Sequence, residues 1–324
     1  MPEVSVIVPC YNCASTVERT LDSLAAQTLS SLELIVINDG STDNTPEVLE
    51  RWKAAHPEVD MKLYTKENEG IAEARNFGVA HVTGDYFGFL DSDDYTVPEM
   101  YEEMLACAKK EDAPLVVSDF MWVNSRGETL QKEGPYEAGP DMMVNLFAVL
   151  WNKLYRTDFI RSLDISFPKG DRYEDTCYLM CLTCNVPKVA FTNRPYVRYV
   201  QQTSSITHTH NDQVKNMIHV FEIILDYYRR HGRYDEYHDA LEYGHIRYFL
   251  GSSFLRSCAI KDAKDRKQTI RMGWELLNRE FPDWPRNPYL KSIGGMKNRY
   301  FSIVREWNID FFSWLFHTLK LNNL

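Results

Sequence analysis

Three carboxylates fall within four positions, Asp91-Ser92-Asp93-Asp94, at the end of the apolar run Tyr86–Leu90. Charges of one sign this close repel each other, so the cluster is costly unless something neutralises it. A divalent cation does so. Carboxylate oxygens are hard ligands that suit Mg2+ or Mn2+, and a cation held by two of them can bridge the phosphates of a nucleotide-linked ligand. The plainer reading is a solvated acidic turn that caps a helix beginning near Pro98.

Two other chemistries use similar acid spacings. Asp91, Asp93 and Glu102 match positions 1, 3 and 12 of a calcium loop, but Tyr95 and Thr96 stand where a ligand and a glycine are needed. The segment Asp39–Asp43 with Glu50 makes a similar partial match and fails at Asn44. A phosphatase of the haloacid dehalogenase type also places an Asp-x-Asp after an apolar strand. It expects Thr or Val where Tyr95 stands, and it expects the first strand of the chain, not the fourth. Among the cysteines, Cys10-x-x-Cys13 and Cys181-x-x-Cys184 lie far apart, and Cys177, Cys181 and Cys184 have the i, i+4, i+7 spacing of a helix core face. Reduced, buried thiols are the expectation, in a cytoplasmic protein.

The elements that position these groups read as alternating strands and helices. Val4–Val8, Glu33–Ile37, Met61–Thr65 and Tyr86–Leu90 are strand-like. Ser15-Thr-Val-Glu18 forms a capping box before a helix bearing Leu21 and Leu24, Thr45-Pro46 supplies an N-cap and first-turn proline, and 71–82 reads as a third helix. This alternation predicts βαβ units and a largely parallel sheet, with ligands collecting beyond the strands' carboxyl ends. After those ends come Pro9, Tyr11 and Asn12, then Asp39, then Gly70, then the acidic run. Further on, a helix over 98–110, a strand over 115–118, a helix over 141–150 and strands over 188–192 and 196–201 are predicted. Beyond 208 the pattern is helical.

With 324 residues, one large domain or two is expected. A net charge of −10 disfavours nucleic acid as a partner. The start of the chain does not read as a secretory signal, and no apolar run approaches the roughly 20 residues of a membrane span.

Taken together, "VSVIVPCYN", "LDSLAAQT", "ELIVINDGSTDNT", "NEGIAEARNFGV" and "YFGFLDSDD" across 4–94 resemble family 2 glycosyltransferases of the GT-A fold, in particular bacterial enzymes of surface-polysaccharide synthesis. The resemblance is dense over 3–98 and thins through "LWNKLYR", "YEDT" and "SSIT". It implies an α/β fold, a Rossmann-like mixed sheet flanked by helices, over 1–207, with a nucleotide-binding half (1–98) and an acceptor half (99–207), followed by a helical region over 208–324. It implies an inverting, metal-dependent transfer from a nucleotide-sugar donor, UDP-linked by this reading, to a saccharide or lipid-linked saccharide. A non-catalytic nucleotide- or saccharide-binding module on the same fold is the alternative.

The resemblance also assigns roles. Pro9, Tyr11 and Asn12 line the base, Asp39 accepts the uracil N3–H, and Gly70, Arg75 and Asn76 lie beside the nucleoside, with Arg75 on either the diphosphate or the acidic cluster. Asp91 and Ser92 belong to the ribose side. Asp93 is the ligand of Mn2+ or Mg2+, with Asp91 beside it, and Asp94 contacts the donor sugar or is structural. Asp175 is the general base, with Glu174 as runner-up. Trp151, Asn152 and Lys153 line the acceptor side, though a core tryptophan is an equal reading of Trp151. Relatives often supply a late histidine to the metal; here the first candidates are His208 and His210. Finally, 291–324 carries five cations against two anions among many aromatics. This suits peripheral contact with an anionic membrane, or else a final helix packed on the enzyme or in a homodimer.

Overall fold

The computed structural model describes residues 1–170, 172–201 and 216–319. The chain divides into two compact units, Met1–Gly170 with Glu174–Thr203, and Asp171–Tyr173 with Ser204–Leu324.

The first unit is built on one mixed sheet. Strands β1 (Val4–Cys10), β2 (Leu32–Asp39), β3 (Met61–Lys66) and β4 (Tyr86–Phe89) are parallel, in the order β3-β2-β1-β4. The sheet continues through β8 (Lys153–Arg156), β6 (Leu115–Asn124), β9 (Val189–Val200) and the short β5 (Tyr95–Thr96), while β7 (Gly127–Gln131) forms a hairpin with β6. β8 runs antiparallel to both β4 and β6, so the second half of the sheet is mixed.

Side-chain alternation sorts the two faces. Val4, Val6, Val8, Leu34 and Val36 face α1 (Val17–Ala25), α2 (Thr45–Ala55) and α4 (Met100–Glu111). Ile7, Ile35 and Ile37 face α3 (Ile71–His81) and, further along, Tyr178, Leu179 and Leu182 of α7 (Glu174–Thr183). α3 approaches β1 so closely that a Cβ on Gly78 would lie 2.4 Å from Ile7 Cγ2, so only glycine fits there.

Several boundaries differ from the sequence reading. No capping box forms: Thr16 is the N-cap of α1 without a side-chain cap bond, its hydroxyl donates to Cys13 O, and Glu18 pairs instead with Arg51. Thr45 is the first residue of α2, not its cap; its Oγ1 accepts from Cys13 N at 2.8 Å, tying two loops together. Pro9 lies inside β1, paired with Ile37. β6 runs well past 118 and turns into β7 at Gly127, whose φ of 123° is in the left-handed half of the map. The two strands expected over 188–201 are one, β9, whose register against β6 shifts near Asp119. The helix expected over 141–150 ends at Asn145, as α5 (Pro140–Asn145), because the carbonyls of Phe147 and Val149 turn to Lys153 Nζ. One further short helix, α6 (Thr157–Arg161), follows β8.

The regular elements described in the second unit are helices: α8 (Asn216–Arg230), α9 (Tyr234–Ile246), a π-helical turn (Arg247–Ser252), α10 (Ser253–Cys258), α11 (Ala263–Glu280), α12 (Pro288–Ser292), α13 (Gly295–Ile303) and α14 (Ile309–Thr318). Among the described residues no helix is long and apolar enough to cross a membrane.

Candidate active site

β1 lies between β2 and β4, so the connections leaving its carboxyl end and that of β4 diverge. A crevice at this switch point is where open α/β sheets bind ligands. Tyr11, in the loop after β1, is 51% exposed. Asn12 has φ 49°, a left-handed conformation that asparagine tolerates. Its Oδ1 accepts from Thr42 N (2.8 Å) and Asp43 N (3.3 Å), and its own N–H donates to Ser41 Oγ. Asn12 therefore joins the loops after β1 and β2.

Asp39 ends β2 and is buried. Its carboxylate accepts from Gly70 N at 2.8 Å and Glu69 N at 3.2 Å, and pairs with Lys66 Nζ at 2.8 Å. The loop before α3 is thus hung on Asp39, and Gly70 supplies the φ of 93° that this turn requires. Glu69 in turn is held by Lys66 and Lys169, which together lower it to about 2.

The acidic run separates into three environments. Asp91 Oδ1 accepts from Arg75 Nη2 at 2.9 Å. Asp93, with Ser92, stays partly exposed, and Asp93 makes no ion pair among the described residues. Burial, then the charge of Asp91, pushes it up to about 6, while Arg19 opposes. Arg19 lies 5.0 Å over the Tyr95 ring and donates to Asp93 O. Asp94 points into the protein, fully buried, and accepts from Val200 N at 2.8 Å. Burial and its two acidic neighbours push it well above the carboxylate range. Of the two readings of Asp94, only the structural one fits a side chain with no exposed surface.

Arg75 is the hub. It is 6% exposed, and it donates to Asp91 and, through Nη1, to Glu174 Oε1 at 2.5 Å. Burial opposes its charge, but Asp91, Glu174 and Asp175 outweigh that and raise its pKa. Of the two partners expected for Arg75, the structure shows the acidic cluster. Asp175 lies in the first turn of α7, where its Oδ1 accepts from Thr176 N. Burial, then the charge of Glu174, raises it to about 7 against the pull of Arg75. A carboxylate poised near neutrality suits a general base.

Other expected site residues turn inward. Asn76 makes a two-way bond with the backbone of Phe167, Nδ2 to O and Oδ1 from N, both at 2.9 Å, so it anchors that segment and its side-chain amide is committed. Trp151 is 3% exposed, stacks on Tyr199 at 5.2 Å and meets Phe120 edge-on. Asn152 and Lys153 are fully buried. Asn152 donates to Ser118 O, and Lys153 donates to Phe147 O, Val149 O and Asn152 Oδ1. None of the three side chains lines an open surface: Lys153 opens the interior strand β8, and Trp151 and Asn152 are buried just before it. His208 and His210 lie outside the described residues.

The sequence reading missed Arg19, Lys66 and Lys169. Arg19 meets the acidic run across 74 positions and Lys169 meets Glu69 across 100, and no local spacing announces either pair.

Among the described residues no three His, Cys, Asp or Glu side chains converge on a closed metal cage. The donor set fits a different arrangement. Asp93 without a cation, and Asp91 with one oxygen free of Arg75, suit a hard ion that keeps most of its shell as water and phosphate oxygen.

Comparison with known proteins agrees with this geometry. Residues 5–167 match the family model described as glycosyl transferase family 2. The uncharacterized glycosyltransferase YibD of Escherichia coli K12 is 31% identical over 229 residues, 66% of each chain, so this chain spans just under two thirds of that relative's length. Chondroitin synthase of Pasteurella multocida is 37% identical over 145 residues, 40% of this chain and 15% of that one. S. aureus TarS 1–349, solved in complex with UDP, shares the fold at a TM-score of 0.71 and 20% identity, over 99% of this chain and 92% of that one. Five ordered motifs, a sheet of this topology and the family match lead to one conclusion: this chain is a glycosyltransferase of the GT-A fold and belongs to glycosyl transferase family 2.

Proposed function

We propose that the chain transfers a sugar, with inversion, from a UDP-linked donor to a saccharide or lipid-linked saccharide acceptor in surface-polysaccharide synthesis. The observation that carries this reading is the convergence on Arg75 of Asp91 from the acidic run with Glu174 and Asp175 from α7. In this reading it gathers the ribose-side acid and the candidate base around one guanidinium. UDP bound to the structural neighbour TarS and the chondroitin synthase relative support the choice of donor and product class.

In this reading Tyr11 contacts the uracil face, and Asp39, oriented by Gly70 N and Lys66, accepts from its N3–H. Asp93 and Asp91 would hold Mn2+ or Mg2+, which supplies positive charge to the diphosphate leaving group. Asp175 takes the proton of the acceptor hydroxyl as its oxygen bonds to the anomeric carbon, while the bond from that carbon to the diphosphate oxygen breaks. Arg75 holds Glu174 beside Asp175 and keeps the base within reach of neutrality.

A panel of nucleotide sugars, assayed for hydrolysis and transfer with Mn2+ and with EDTA, tests this. UDP-sugars should be turned over only with the cation, and NMR of the first-formed product should show the inverted anomer. Preference for a GDP- or dTDP-sugar, full activity in EDTA or retention of configuration would each overturn the corresponding part.

A further inference from the structure

The last two helices of the second unit turn apolar side chains outward. In α14, Ile309 and Ser313 are buried, whereas Phe311 and Trp314 are 55% and 59% exposed; Trp307, one turn earlier, is 84% exposed. Phe311 and Trp314 stand at i, i+3 on one face of α14 with rings 6.1 Å apart, and Trp307 projects from the turn that leads into the helix. In α13, Asn298 and Phe301 are buried while Met296 and Ile303 are 90% and 54% exposed. Monomeric soluble proteins rarely leave aromatics clustered in this way without a use for them.

The charges beside these faces are unbalanced in one direction. Glu306 and Asp310 are both engaged by Arg271, and Asp310 also by Lys267 at 3.1 Å. Lys291, Lys297 and Arg299 are exposed and form no ion pair among the described residues. The acids near these aromatics are thus neutralised from α11 and free cations remain, in a chain whose net charge is −10. A symmetric contact between two copies would bring two sets of these cations into one interface while the nearby acids Glu306 and Asp310 are already engaged. An anionic surface would not.

We propose that this face docks on an anionic lipid bilayer, with Trp307, Phe311 and Trp314 entering the headgroup region and Lys291, Lys297 and Arg299 meeting anionic headgroups. Tryptophan, with an apolar body and one N–H donor, suits that boundary. α14 has ten residues, too few to cross the hydrocarbon, so attachment is peripheral.

The test is co-sedimentation of the full chain with phosphatidylcholine vesicles with and without phosphatidylglycerol. Binding should require the anionic lipid and should fall when salt rises from about 0.1 M to 1 M, as the screening length shrinks. Trp307→Ser with Trp314→Ser, and separately Lys297→Glu with Arg299→Glu, should each weaken binding by about tenfold or more while leaving the melting temperature and nucleotide binding unchanged. No sedimentation at low salt, or equal binding by the variants, would overturn the proposal. So would a wild-type dimer that the tryptophan variants dissociate, since the face would then be a subunit contact. If a variant proves insoluble, quenching of wild-type tryptophan emission by brominated lipid decides, and its absence refutes docking. None of these readouts depends on the donor or acceptor assignment.

Discussion

Replacing Asp175 with asparagine should abolish transfer and at the same time stabilise the fold. Both effects follow from one carboxylate held at about 7 instead of 3.8, first by burial and then by the charge of Glu174, with Arg75 opposing. A folded-state value above the unfolded one means that the native protein holds the proton more tightly. Below pH 3.8 both states carry it and folding bears no penalty. As pH rises the unfolded chain ionises first, and folding loses about 1.4 kcal/mol per pH unit until the folded value is passed. From 3.8 to about 7 this accumulates to roughly 4 kcal/mol, and solvent contact with the half-buried carboxylate trims it to about 2–4 kcal/mol. Asparagine has the same shape and never ionises. Urea denaturation in EDTA should therefore show the variant more stable by that amount at pH 8 and equal to wild type near pH 4. Transfer should fall by about 10²–10⁴-fold with donor binding retained, the range for loss of a general base. In the wild type, transfer should rise with pH to a plateau above about 7. A stability difference that does not change with pH would refute the electrostatic argument. Retention of a tenth of the turnover would move the base elsewhere, to Glu174 first.

Arg75→Met should cost about 3–5 kcal/mol, because it strands Asp91 and Glu174 in a buried site, and adding Glu174→Gln should recover part of that; a loss under about 1 kcal/mol in urea denaturation would contradict the hub. Asp93→Ala should remove Mn2+-dependent UDP binding in calorimetry, and wild-type affinity would exclude Asp93 as a ligand. Asp39→Ala leaves Gly70 N without its acceptor and removes one of the partners of Lys66; it should destabilise by about 1–3 kcal/mol and weaken UDP binding, whereas unchanged UDP affinity would confine Asp39 to holding the turn. Trp151→Ala should cost about 3–5 kcal/mol in stability while the folded fraction binds acceptor and UDP normally, as expected of a core residue and not of a sugar platform.

The parallel half of the fold was legible because its signals are local. β-branched runs alternate with helical periodicity, and Tyr11, Asn12 and the acidic run from Asp91 come just after strands. The later sheet was less legible. β6, β8 and β9 pair across long separations, and the shift at Asp119 hides one strand as two. Burial of Lys153 could not be read from sequence either: lysine is almost never fully buried, and this one depends on carbonyls turned toward it from 147 and 149. Asn76 shows the same limit. Its motif suggests a ligand contact, but its amide is committed to the Phe167 backbone, 91 positions away. Motif spacing identifies which residues gather; it does not say which way each side chain faces.

The acidic run shows why direction matters. Asp91, Ser92, Asp93 and Asp94 differ little in sequence context, yet the turn after β4, closed by Asp94 N donating to Asp91 O, sends their side chains into different surroundings. Asp91 meets Arg75 and stays paired. Asp94 is driven inward, where Val200 N satisfies one oxygen and its neighbours' charges favour the protonated form. Among the described residues Asp93 forms no ion pair, and Arg19 spends its nearest donor on the backbone oxygen instead. Three carboxylates thus carry far less than three uncompensated charges, which is how an apolar strand can end in such a cluster and still fold. The residual charge sits at a carboxylate that, like Asp91, remains partly open to solvent beside the crevice. In the function proposed above, a site that neutralised Asp93 internally would be more stable without ligand and would leave no charge with which to hold a cation.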